Sequence, residues 1–314
     1  TLTRTITNTV HDIHEGTNRV MEGDFAHRIP VAGKDQLAQM AESFNRMTEN
    51  LELLLQVAKE NERLNAELEI AREVQSQLYP KTVPDSPGLT LTAHYQPARM
   101  VSGDYYDFHR LTTNQLCFSM GDVAGKGISA ALLMATVQSS FRSQIQARDW
   151  NSVTAPFTTD ALVSELNKQL YATTAPEKFS TFFFAVYDEL SCILRYTNAG
   201  HLPPILIRNG EASLLEVDGM VVGAFPFATY GQSTIQLEPS DLLLLYTDGI
   251  SEPQNDYGEM YGEDRLIEIV KRSAHLNDAG IIQAVMNAVI QWTGSPELQD
   301  DMTMLIARRK PPLS

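Results

Sequence analysis

STFFFAVY (180–187), CILRYT (192–197) and PILIR (204–208), followed by NG (209–210) and SLLEV (213–217), decide the fold of this chain. Each run is short, apolar and rich in aromatic or β-branched residues, and each stops at turn-forming residues, which is the pattern of strands. Asn209-Gly210 between two of them is a hairpin signal. No helix-length segment separates these runs, so successive strands pair antiparallel. Outward from this block, further strands are expected at 89–95, 116–120, 233–237, 242–246 and 302–307. Helices are expected in two pairs, at 128–146 with 160–173 and at 263–272 with 279–293. The class is α+β, with mostly antiparallel sheets and helices outside. A doubly wound parallel sheet would need a regular strand–helix alternation that the middle of the chain lacks.

The first 80 or so residues differ in character, being helical by periodicity. Ile6, Val10, Ile13, Thr17 and Val20 form one stripe, broken by Gly23-Asp24 and Ile29-Pro30. Leu37, Met40, Phe44, Met47, Leu51 and Leu54 form a second. A third runs Val57, Asn61, Leu64, Leu68, Ala71, Gln75, Leu78. The step from Leu54 to Val57 breaks the alternation of spacings, which changes the winding of a coiled coil. Such narrow stripes cannot bury themselves alone, so a parallel homodimer is expected, with Asn61 favouring a two-stranded, in-register coil. Pro80, Pro84 and Pro87-Gly88 end this region.

The composition, 43% hydrophobic and 20% charged in 314 residues, is that of an ordinary folded chain with room for two domains. A net charge of -15 excludes the basic stripe of a nucleic-acid binder and suits divalent cations. Cys117 and Cys192 both lie in apolar runs and read as buried thiols of a reducing, cytoplasmic compartment. No stretch approaches the ~18 apolar residues of a membrane span. The chain starts without methionine, directly in a helical pattern, so it is read as part of a longer protein.

Aspartates stand where apolar runs stop: Asp104 in SGDYYD, Asp122 in MGDVAGKG, Asp248 in LLLLYTDG, and Asp300-Asp301 in DDMTMLIA. A carboxylate beside a buried strand is costly unless it is paired or bound to metal. Several such groups at one edge would make an oxygen-rich pocket for Mg2+ or Mn2+, suited to metal-assisted hydrolysis of a phosphate ester. Val123 could add its backbone carbonyl. Asp107 reads as structural, and Asp256 and Asp264 as loop and helix-start residues. Gly125-Lys126-Gly127 before a helix resembles a phosphate-binding nest, although Gly127 where Ser or Thr is required excludes a Walker A loop. His201, in Asn198-Ala199-Gly200-His201, has no acid or nucleophile paired with it in the sequence and reads as a structural turn residue.

Taken in order, Ser102-Gly103-Asp104-Tyr105-Tyr106-Asp107, Gly121-Asp122-Val123-Ala124-Gly125-Lys126-Gly127, Asn198-Ala199-Gly200-His201, Thr247-Asp248-Gly249 and Asp300-Asp301-Met302-Thr303 resemble a known family. It is the PPM family of metal-dependent Ser/Thr protein phosphatases, in its SpoIIE/RsbU-like bacterial branch. Residues 1–55, through Gly23-Asp24-Phe25, Arg28-Ile29-Pro30-Val31, Lys34-Asp35-Gln36-Leu37 and Phe44-Asn45-Arg46-Met47, resemble a HAMP signalling module. The resemblance implies a HAMP domain at 1–55, a coiled-coil linker helix at 56–80 and a phosphatase domain at 88–309. It implies a sandwich of two antiparallel sheets flanked by helix pairs, with two Mn2+ or Mg2+ ions between the sheets. Asp104, Asp122, Asp248 and Asp300, with the Val123 carbonyl, would be the ligands. Asp301 is the alternative to Asp300. Gly125, Lys126, Gly127 and Gly249 would meet the substrate phosphate. The implied substrate is a phosphoserine or phosphothreonine protein, of which an anti-sigma-factor antagonist is the family's usual kind. The HAMP module implies a membrane segment upstream. Two other readings stay open on the residues alone: an inert dimeric scaffold, and a hydrolase of small phosphate esters.

Overall fold

The computed structural model describes residues 2–31, 33, 35–148, 150, 158–175, 177–216 and 219–311, in two compact units, Thr1–Ile70 and Ala71–Ser314. Lys34, Val217 and the side chain of Ile6 lie outside the described residues. No helix among the described residues is long and apolar enough to cross a membrane.

The first unit is built on α1 (Leu2–Met21) and most of α2 (Gln36–Ser76). Asp35 caps α2, its Oδ1 accepting the Ala38 N–H at 3.0 Å. The connection is pinned by Asn45, which accepts from the Ile29 N–H and donates to the Ile29 carbonyl, both at 2.8 Å. Ile29 is buried, and a Cβ on Gly16 would stand 2.7 Å from it, so α1 passes closely only because residue 16 has no side chain. The spacing break at Leu54–Val57 does not interrupt α2. It shifts the apolar stripe around the helix and leaves the backbone ladder intact, since no Pro or Gly lies there. Val10, Met40, Met47 and Leu54 stay 48–63% exposed in the single chain.

The second unit carries two five-stranded sheets. One has the order β1 (Leu89–Gln96), β10 (Met302–Arg309), β9 (Leu242–Tyr246), β6 (Ile205–Arg208), β7 (Glu211–Leu214). The other runs β2 (Tyr105–Arg110), β3 (Gln115–Gly121), β4 (Phe182–Asp188), β5 (Ile193–Ala199), β8 (Ser233–Gln236). Every pair in both sheets is antiparallel. The uninterrupted apolar runs follow from burial of both faces. Leu243, Leu245, Leu305, Phe183 and Ala185 point between the sheets, into one shared core. Their neighbours Leu244, Tyr246, Met304 and Ile306 face α6 (Glu263–Ser273) and α7 (Asp278–Thr293). Phe182 and Phe184 face α3 (Ile128–Ala147) and α4 (Thr159–Thr173). Alternation with period two thus feeds three cores at once. The Asn209-Gly210 turn joins β6 to β7 with φ of 51° and 80°.

Three details differ from the sequence expectation. Tyr105–Arg110 is a strand, unexpected because its polar Asp107 and His109 interrupt the apolar pattern. Asp248 opens a one-turn helix, α5 (Asp248–Ser251), two residues past the end of β9. Cys117 is buried, but Cys192 is only half-buried, on a turn at φ 56°, so burial does not hold for both thiols.

Asp107 is tolerated on its strand because α3 supplies Arg142, with Nε 2.6 Å and Nη2 3.2 Å from the two carboxylate oxygens. Burial alone would raise the Asp107 pKa. The hydrogen bonds from His109 and Arg142 outweigh it and hold the carboxyl below its ordinary value. A depressed acid contributes stability above its unfolded pKa and loses it as pH falls through the folded value, here below about pH 4. Arg142→Ala is therefore expected to cost about 3 kcal/mol at neutral pH, the lower end for a broken buried pair. The gap from wild type should close in acid. Denaturant titrations at several pH values check this; a constant gap would sink the assignment.

Candidate metal centre

The pairing register brings the acidic residues to one end of the sandwich. Tyr105 pairs with Gly121, so Asp104 and Asp122 flank the same end of the β2–β3 ladder. In the other sheet Met304 pairs with Tyr246. Beyond that pair the Thr247 N–H donates to the Thr303 carbonyl, and the Thr303 N–H to Thr247 Oγ1, each at 3.1 Å. Asp248 and Asp300-Asp301 lie just past this contact.

Two hydroxyls tie the sheets together at Asp104. Thr247 Oγ1 donates to Asp104 Oδ2 at 2.9 Å, and Thr303 Oγ1 donates to the same oxygen. Asp104 is buried, and burial, then the neighbouring Asp122 charge, raise its pKa well above the ordinary value against those hydrogen bonds. Asp122 is pushed up to about 7 by burial and by the charges of Asp248, Asp300 and Asp301. Burial also raises Asp248, joined by Asp300 and Glu252, while the Gly249 N–H and Lys126 act in the opposite direction. The Lys126 ammonium stands 2.5 Å from Asp300 Oδ2. Lys126, Asp248, Gly249, Glu252, Gln254 and Asp300 line a cleft of about 280 Å³.

The five aspartates and Glu252, against Lys126 and the nearby Arg99, leave the site short of positive charge, and the donors are all hard oxygens. That is the chemistry of Mg2+ or Mn2+, not of soft metals. Among the described residues, however, no three His, Cys, Asp or Glu side chains are gathered as the ligand set of one ion. The expected tight gathering is thus looser than the sequence suggested. Mg2+ is reluctant to lose its waters and is commonly held by only one or two carboxylates, so the spacing still fits.

Asp300 and Asp301 part ways in space. Asp301 accepts the Ala98 N–H at 2.8 Å and the Gly103 N–H at 3.3 Å, and so anchors the loop that carries Asp104. Asp300 faces the cleft. A Cβ on Gly103 would lie 3.2 Å from the Val123 carbonyl, which places that carbonyl beside the Asp104 loop. Gly125 and Gly127 have φ of 108° and 74° with open space around them, so they serve the backbone turn into α3. Gly249 is buried and its N–H serves Asp248, which leaves little for a phosphate. Asp107 is structural, as described above; Asp256 sits in a turn and Asp264 in the first turn of α6.

Residues that sequence reasoning missed hold the acids in place. Besides Thr247 and Thr303, Gln75 at the end of α2 donates to the Ser102 carbonyl at 2.8 Å and accepts the Ser102 N–H at 3.0 Å. The Tyr79 hydroxyl donates to the Asp104 carbonyl at 2.7 Å. Gln75 stood at a core position of the third stripe, where a polar residue was the only signal.

The fold is that of the PP2C-type domain. The solved SiaA-PP2C domain of Pseudomonas aeruginosa superposes with a TM-score of 0.69 at 18% identity, covering 80% of this chain and 99% of that one. The family model of Stage II sporulation protein E (SpoIIE) matches residues 112–310, and the chain belongs to that family. The HAMP domain model matches residues 1–53. Protein IcfG of Synechocystis sp. is 26% identical over 95% of this chain and 50% of its own length. The phosphoserine phosphatase RsbU of Bacillus subtilis is 27% identical over 79% of this chain and 72% of its own length. The chain thus spans only half the length of the first of these relatives.

Proposed function

We propose that the chain is a metal-dependent phosphatase of phosphoserine or phosphothreonine proteins. The observation that carries this reading is Asp122, whose carboxylate lies beside buried Asp104 and in the field of Asp248, Asp300 and Asp301. A group so placed is stabilised as an anion only by added cations. Asp104, Asp122, Asp248 and Asp300, with the Val123 carbonyl, would hold two Mn2+ or Mg2+ ions. Bound cations would supply Lewis-acid charge and a water acidic enough to attack phosphorus. The threonine pair holds Asp104 Oδ2 and leaves its other oxygen for a ligand. Asp301 steadies the Asp104 loop. Lys126, which stands 2.5 Å from Asp300, would be available to meet the substrate phosphate at the Gly125–Gly127 turn if Asp300 served a cation instead. The phosphoserine activity in the name of RsbU supports this choice, and an anti-sigma-factor antagonist is the substrate kind the family resemblance favours.

The test is release of phosphate from a phosphoserine protein, with Mn2+ and with chelator, beside a small ester as competitor. Turnover that needs Mn2+ and prefers the phosphoprotein is the expected result. No turnover with Mn2+ would remove the proposal, and preference for the small ester would remove the protein substrate.

Control is proposed to run through a homodimer of the HAMP unit and α2. The exposed Val10, Met40, Met47 and Leu54 are the apolar surface a second copy would cover. Gln75 and Tyr79 then link the end of α2 to the backbone of Ser102 and Asp104. Inserting one residue after Val57 turns the following helix by about 100°. It is expected to shift basal activity at least severalfold; an unchanged rate in a dimeric protein would count against this route.

A further inference from the structure

Asn198-Ala199-Gly200-His201 is used by neither the cleft nor the proposed ligand set. Its geometry is nonetheless specific. The His201 N–H donates to Asn198 Oδ1 at 2.8 Å, and Gly200 holds φ 70° where a Cβ would come 2.9 Å from Val221. This tight turn delivers the His201 ring, 2% exposed, to Thr181, with Nδ1 3.0 Å from Oγ1.

Thr181 in turn grips Asp122. The Asp122 N–H donates to Thr181 Oγ1 at 3.0 Å. The Asp122 carbonyl accepts from the Thr181 N–H at 2.8 Å. The Ser180 hydroxyl lies between that carbonyl, at 2.9 Å, and the Thr181 carbonyl, at 2.7 Å, and Thr181 Oγ1 is 3.4 Å from the Asp122 carbonyl. The carbonyl is thus served by the Thr181 N–H without the threonine hydroxyl proton, whereas the Asp122 N–H has the threonine hydroxyl alone. A hydroxyl has one proton and two lone pairs. If its proton goes to His201 Nδ1, a lone pair is aimed at the Asp122 N–H. Burial pushes His201 down to about 4 against the pull of the Tyr246 carbonyl, so the ring is neutral at physiological pH and Nδ1 can accept.

We propose that His201 and Thr181 are positioning residues that orient the Asp122–Val123 backbone, so that divalent-cation affinity depends on the Thr181 hydroxyl and on an acceptor at the place of His201 Nδ1. This rests on the metal-dependent reading above. Partners that orient a ligand from behind are commonly worth about 10- to 100-fold in metal affinity.

The experiment measures Mn2+ binding by calorimetry, together with thermal melting, on the whole chain. Thr181→Val keeps the shape and removes the hydroxyl; Thr181→Ser restores it. His201→Leu removes the acceptor, and His201→Asn keeps an amide near the position of Nδ1. The valine and leucine variants are expected to bind Mn2+ about 10- to 100-fold more weakly, with serine and asparagine recovering most of the loss. Mn2+ binding by Thr181→Val equal to wild type overturns the relay. So does equal weakening in Thr181→Ser, which would mark a general packing defect. If His201→Leu does not fold, the Thr181 pair still decides. Asp122→Asn runs in parallel. Intact Mn2+ binding there overturns the metal reading itself, whereas its loss together with unaffected Thr181→Val overturns the relay alone.

Discussion

Asp122→Asn is expected to lower Mn2+-dependent phosphatase turnover by about 10³-fold, the scale of removing one preorganised electrostatic group from a reacting centre. The change keeps the size of the side chain and deletes its charge. In the protein without metal that charge is a burden, because burial and the Asp248, Asp300 and Asp301 carboxylates all disfavour it. The amide removes the repulsion and leaves the backbone bonds to Ser180 and Thr181 in place. In chelator the variant should therefore melt no lower than wild type. Activity and stability moving in opposite directions is the signature of a site held under electrostatic strain for function. Retained turnover would end the ligand assignment, and a collapsed fold would show Asp122 to be structural instead.

Gly249→Ala should be the most damaging small substitution in the second unit. A Cβ there would stand 2.0 Å from the Asp301 carbonyl oxygen and 2.8 Å from its carbon. Those are backbone atoms leading into β10, a central strand, and they cannot swing aside as a side-chain tip can. Overpacking of this kind costs about 3 kcal/mol or more. For a unit of this size that corresponds to a melting point lower by about 6–12 °C. The same push separates Asp300 from Asp248, so Mn2+-dependent turnover should fall with it. Gly125→Ala is the comparison. It meets nothing within 4 Å and suffers only its φ of 108°, a strain of about 1 kcal/mol. Melting curves of the two variants decide the matter; a Gly249→Ala protein as stable as wild type would refute the close approach.

Much of this architecture is legible in the chain. The runs at 182–187, 242–246 and 304–307 are apolar on both faces, as stretches buried on both faces must be. The hairpin at Asn209-Gly210 follows from residues that tolerate left-handed backbone. β2 was not legible, because Asp107 looks unfit for a buried strand until Arg142 arrives from α3, 35 residues later. The half-exposure of Cys192 is hidden from the sequence for a related reason. Its apolar neighbours describe the strand that follows and say nothing of the turn on which it sits.

Apart from β2 and the one-turn α5, the sequence alone determined which segments are strands, which are helices, and which aspartates stand near their ends, since these depend on local periodicity and turn chemistry. It could not decide between Asp300 and Asp301, although they are adjacent. Only the tertiary structure turns one to the cleft and gives the other to the backbone of Ala98 and Gly103. Nor could it reveal that Thr247 and Thr303 close on Asp104, or that Gln75 holds Ser102. Those contacts join residues far apart in the chain, and their energies exist only once sheet register has brought the partners within hydrogen-bonding distance.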